Sequence, residues 1–82
     1  MSEPREPIRL FLSEIVDGWD DSVPDSANLF AQGLLDSLAV HEVVGFLEDE
    51  FGVIFDDSDL AVDNFASVDA MAAMVQQKLA SG

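Results

Sequence analysis

Cysteine is absent from the 82 residues, and basic side chains are nearly so: Arg5, Arg9 and Lys78 stand against seventeen acids. Without cysteine there is no disulfide scaffold, no zinc–thiolate site and no catalytic thiol of the chain's own, so any thiol chemistry must arrive on a cofactor. With one histidine, His41, a transition-metal site is not expected either. The formal charge of −14 would repel nucleic acid and anionic membrane surfaces, which makes basic partners the expectation. No apolar run approaches the roughly eighteen residues a membrane helix needs, and residues 1–9 lack the apolar stretch of a signal peptide, so a cytoplasmic protein is expected. Asp56, Asp57, Asp59 and Asp63 do not make a calcium loop: counted from Asp57, the fifth and sixth positions are Ala61 and Val62, where an oxygen ligand and a glycine belong.

What is present is helical rhythm. Hydrophobic residues make up 49% of the chain, too many for a disordered acidic segment. No repeat, low-complexity tract or linker divides residues 1–82, which are read as one domain with flexible ends over 1–6 and 80–82. Pro7 suits a first helical position, and Ile8, Phe11, Leu12, Ile15, Val16 and Trp19 follow on one helix face, with Gly18 as its stop. Residues 17–36 show no sustained period. Leu29, Phe30, Leu34 and Leu35 are the expected pins of that long connection, with one helical turn at 28–31. A second helix is predicted from Asp36 or Ser37 to Gly52, burying Val40, Val43, Val44, Leu47 and Phe51. Its opposite side carries Leu38, Glu42, Gly45, Phe46 and Asp49, either a docking surface or a solvated face with incidental apolar residues. A short helical turn with Leu60 and Val62, capped by Asp57 or Ser58, leads to Phe65 as a core anchor. Ser67 caps a last helix with Val68, Met71, Ala72, Val75 and Leu79 in register, Lys78 near its end, and Met71 and Met74 as core filler. The expected fold is all-α, a small bundle of three main helices plus one short one.

Ser37 is the residue with chemistry to offer. Of eight serines, the other seven read as caps, helix surface, loops or termini. Ser37 follows Gly33-Leu34-Leu35-Asp36 and opens the acidic second helix, so a phosphate ester on it would face unpaired backbone N–H groups and the positive end of the helix dipole. The ordinary alternative is that Ser37 is only the N-cap. His41, one turn on, could pair with Ser37 as base and nucleophile, but no orienting carboxylate or oxyanion donor pair accompanies them, and His41 reads as a surface residue.

Taken together, Leu29, Gly33-Leu34-Leu35-Asp36-Ser37-Leu38, Glu42, the 47–53 run Leu-Glu-Asp-Glu-Phe-Gly-Val, and Phe65-Ala66-Ser67-Val68 resemble an acyl carrier protein over nearly the whole chain. The resemblance implies a carrier, not an enzyme, with 4′-phosphopantetheine on Ser37 and Asp36 as its motif neighbour. It implies a phosphopantetheinyl transferase as one partner, and an acyl-loading enzyme and a downstream synthase or transferase with basic patches as others. Leu38, Glu42, Phe46 and Asp49 would be the docking contacts on a monomer. Ala39 and Gly45 depart from the family, where an acid and a larger apolar residue are common, which points to a narrow partner set with Phe46 supplying the lost contact.

Length and lack of a linker read as a freestanding carrier, with a domain excised from a larger synthase as the open alternative. Leu29-Phe30 with Gly33, and the 59–68 run, are similar to discrete polyketide-pathway carriers of glyceryl or methoxymalonyl-type three-carbon units. Fatty-acid and aminoacyl or D-alanyl carriers share the serine motif and stay open as alternatives. An unmodified acidic interaction module is a further one. A polar three-carbon cargo implies an exposed arm, since only an apolar chain gains from entering the core.

Overall fold

The computed structural model describes residues 4–81, except the side chain of Ser81. Met1, Ser2, Glu3 and Gly82, on which the expected flexible ends partly fall, lie outside the described residues. Three α-helices, α1 (Arg5–Ile15), α2 (Ser37–Phe51) and α3 (Val68–Ser81), are joined by the long connection after α1 and by two 3-10 turns, Asp57–Asp59 and Val62–Phe65, before α3. The two turns stand where the one short helix was expected, and the described residues form the expected all-α bundle of three main helices.

α1 starts before Pro7. Pro4 occupies its N-cap, Ile8 N–H donates to the Pro4 carbonyl at 3.2 Å, and Pro7 sits in the first turn, where a missing N–H removes no helical bond. The helix also ends early: Val16 turns extended at the C-cap and is buried, while Gly18, at φ 80°, belongs to the turn that follows. α1 packs against both α2 and α3. Ile8 and Leu12 are fully buried between them with Val43, Leu47, Val68, Met71 and Val75. Met74 joins the core as filler, but Leu79 is 54% exposed, because it lies one turn beyond Val75, the last buried position of α3.

The long connection is tied down by α1's two arginines. Arg9 Nη1 donates to the Val23 carbonyl at 2.7 Å and to Asp25 Oδ1 at 2.8 Å, its Nη2 donates to the Asp21 carbonyl at 2.8 Å, and the guanidinium lies 5.3 Å from the Trp19 ring centre. Arg5 Nε donates to Asp69 Oδ1 at 2.7 Å, and the Asp69 N–H donates to the Asp25 carbonyl at 3.0 Å. The planar fork reaches several acceptors at once, which one lysine ammonium could not do in the same geometry. Leu29 and Leu35 are buried pins, with Phe30 and Leu34 packed against the core.

The segment between α2 and α3 is held by Lys78. Its ammonium pairs with Asp59 and lies 3.8 Å from Asp56, whose N–H donates to the Asp59 carboxylate at 2.8 Å. Asp56, not Asp57 or Ser58, therefore precedes and shapes the first 3-10 turn. The hydrogen bond from Lys78, then that from the Asp56 N–H, holds the Asp59 carboxyl below its ordinary 3.8. Asp59 in turn holds Lys78 above its ordinary 10.5. A lowered carboxyl stabilises the fold above its unfolded value and loses that contribution as pH falls through the folded one. A raised amine stabilises below its unfolded value and loses it as pH rises through the folded one. Lys78→Met should thus lower Tm by a constant margin between about pH 5 and 9. The margin should shrink below about 3.8 and above about 10.5; a margin independent of pH would show that the pair contributes nothing.

Candidate functional site

The start of α2 is set by four residues in succession. Gly33, at φ 73°, makes the turn that returns the chain to the core. Leu34 and Leu35 N–H groups then both donate to the Leu29 carbonyl, at 2.9 and 3.3 Å, and Leu35 is buried. Asp36, extended at φ −134°, is the N-cap: its Oδ1 accepts the Ala39 N–H at 2.8 Å, and its carbonyl accepts the Val40 N–H at 3.0 Å. Ser37 is therefore not the N-cap, but the first helical residue.

That register leaves Ser37 exposed and uncommitted. Among the described residues its hydroxyl has no hydrogen-bond partner, and the backbone N–H groups of Ser37 and Leu38 have none either. Asp36 uses the third amide of the helix and leaves the first two for a ligand. An anion on the Ser37 oxygen would meet open donors at the positive end of a fifteen-residue helix. Other serines are differently placed: Ser13 Oγ donates to the Leu10 carbonyl at 2.6 Å, and Ser67 Oγ accepts the Ala70 N–H at 3.0 Å as the cap of α3.

Two clefts flank the serine. One, of about 220 Å³, is lined by Ser37, His41, Phe30, Val40, Val44, Leu60 and Val62. The other, of about 310 Å³, lies between the end of α1 and α2, and exposes Asp17, Asp36, Leu38 and Glu42. Ser37 and His41 share the first cleft but make no hydrogen bond to each other, and no carboxylate hydrogen-bonds His41 among the described residues. Ser37 is thus an exposed hydroxyl at the edge of a groove, with no base hydrogen-bonded to it among the described residues.

The residues expected to dock partners divide. Leu38 is 70% exposed, and Glu42 and Asp49, four and eleven positions on, are exposed within about 40° of it around the helix. Phe46 is placed differently: it is half-buried and stacks on Phe11 of α1, centroids 4.2 Å apart and planes 9° from parallel, with Phe51 edge-on at 6.5 Å. It sits about 80° around from Leu38, on the border of the core, where α1 covers it. Nor is glycine required by packing at Gly45, since an added Cβ would meet nothing within 4 Å. The cation network of Arg5, Arg9 and Lys78 was not expected from sequence; Arg5 and Arg9, the two arginines one turn apart in so acidic a chain, were the available signal.

Residues 13–75 match the family described as "Phosphopantetheine attachment site", which covers more than half of the chain. The chain belongs to the acyl carrier protein family. It is 32% identical over 65 residues to the "Probable acyl carrier protein PigG" of Serratia sp. (strain ATCC 39006), an alignment covering 79% of this chain and 75% of that protein. An acyl carrier protein is a carrier, not an enzyme, bears 4′-phosphopantetheine covalently, and meets a phosphopantetheinyl transferase and partner synthases. The free hydroxyl, open amides and neighbouring groove at the head of α2 fit that group. Among the described residues no helix is long and apolar enough to cross a membrane, and no group of three His, Asp or Glu side chains is placed to hold a metal.

Because Asp36 caps α2, the two residues separate by stability. Asp36→Ala should destabilise the protein by about 1 kcal/mol in urea unfolding, and Ser37→Ala by no more than about 0.5 kcal/mol. The reverse order would place the cap on Ser37.

Proposed function

We propose that Ser37 carries the 4′-phosphopantetheine, and that the acyl carrier protein ferries a small three-carbon unit, of glyceryl or methoxymalonyl type, in polyketide assembly. The observation that carries the attachment site is the register of α2: an exposed Ser37 at its first position, with the Ser37 and Leu38 amides open and Asp36 already spent on Ala39. Bound there, the prosthetic group supplies a thiol, which the chain lacks, to hold an acyl group as a thioester. Ser37 provides the ester oxygen, the two amides face the phosphate, and α2 gives the arm a rigid base. The cargo rests on the likeness of Leu29-Phe30 with Gly33 and of residues 59–68 to polyketide carriers. An arm in solvent suits a polar unit of that size.

Docking falls to Leu38, Glu42 and Asp49, which form one exposed stripe running from the serine along α2. Leu38 offers an apolar contact, and the acids meet basic patches on the transferase and synthases, mainly raising encounter rates. Phe46 contributes indirectly, by fixing α2 against α1.

Incubation with coenzyme A, Mg²⁺ and a promiscuous phosphopantetheinyl transferase should add one phosphopantetheine to the mass of the parent protein and none to Ser37→Ala. Equal gain in both would move the attachment elsewhere. No gain in either would favour the unmodified interaction module.

A further inference from the structure

The groove beside Ser37 contains one side chain that carrying an arm does not by itself require. Of the seven residues lining it, Phe30, Val40, Val44, Leu60 and Val62 are apolar, which leaves Ser37 and His41 as its polar members. The two are four positions apart on α2, one turn, where side chains are neighbours. Long side chains on a helix favour directions that cover the preceding turn, which for His41 is the turn that begins at Ser37.

The charge around this groove is one-sided. Arg5 and Arg9 are engaged with Asp69 and Asp25, and Lys78 with Asp59 and Asp56. On α2 the nearest titratable groups are acids: Asp36, whose carboxylate already sits at the helix head, and Glu42, which faces the other cleft. On the segment packed across the groove, Leu60 and Val62 are flanked by Asp59, held by Lys78, and by exposed Asp63. From Phe30 no charged group enters. A phosphodiester on Ser37 therefore adds a negative charge beside Asp36, with His41 the one lining residue able to become a cation.

We infer that His41 is a positioning residue for the prosthetic group: its protonated imidazole pairs with the phosphodiester on Ser37 and holds the first part of the arm over the groove, and its deprotonation releases it. This rests on the attachment at Ser37. Histidine changes charge between about pH 5 and 8, a range in which a phosphodiester does not itself titrate, so the contact should follow pH. No bond is made or broken beyond the transfer of one proton to solvent.

The test is the ³¹P resonance of the loaded, tag-free protein followed from about pH 5 to 8. A single sigmoidal step is expected, lost in His41→Gln and replaced in His41→Arg by a flat resonance near the acid-limit position. His41 is exposed, so the variants should keep the parent's amide spectrum and Tm. A flat parent resonance, or a step that survives in His41→Gln, would overturn the role of His41 while leaving the carrier intact. Failure to observe any phosphodiester resonance would overturn the attachment at Ser37, and this role with it.

Discussion

Everything at the head of α2 depends on the backbone of Leu29. Its carbonyl accepts two N–H groups from Leu34 and Leu35, its own N–H donates to the Ala66 carbonyl at 2.7 Å, and its side chain is fully buried. One residue thus joins the long connection, the approach to α3 and the entry to α2. The turn between, closed by Asn28 Oδ1 accepting the Ala31 N–H at 3.0 Å and by Gly33, makes the returning chain arrive with Leu35 inward. After a buried Leu35, the extended Asp36 takes the cap, and Ser37 emerges as the first, exposed helical residue. The exposure of the serine is the consequence of packing two residues earlier.

Charge has two separate uses in this protein. The three basic residues are spent on the fold: Arg5 and Arg9 bind the connection to α1 and to the start of α3, and Lys78 binds the segment before α3. Exposed ion pairs contribute little individually, but Arg9 also satisfies two backbone carbonyls of an otherwise irregular segment. The surplus of acids is left for solvent and partners. A net charge of −14 with its cations engaged gives a long-range field that favours basic surfaces before any contact forms.

Period and punctuation in the sequence were enough to read the three helices, their caps at Ser67 and Gly52, and most of the core, because each depends on local spacing. The starts and stops of α1 were less legible. Whether Pro4 or Pro7 opens the helix, and whether Val16 or Gly18 closes it, depends on which side chains the rest of the chain buries. The burial of Leu79 and Phe46 was hard to read for related reasons. Leu79 has the right angle but lies past the end of the core, while Phe46 has a surface-leaning angle but is met by Phe11 from α1. The serine motif was legible as a pattern, whereas the division of labour between Asp36 and Ser37 required the backbone register. The arginine staples were hidden because their acceptors are carbonyls and acids far along an irregular segment, which no periodicity marks.

The claim at the centre is that the phosphate of the prosthetic group sits on the open amides at the start of α2. Backbone amide shifts compared before and after loading test it most directly. The largest changes should fall on Ser37 and Leu38 and fade along α2, with Leu29 and Arg9 unmoved. Unchanged Ser37 and Leu38 amides, or changes spread through the buried residues of α1 and α3, would contradict it.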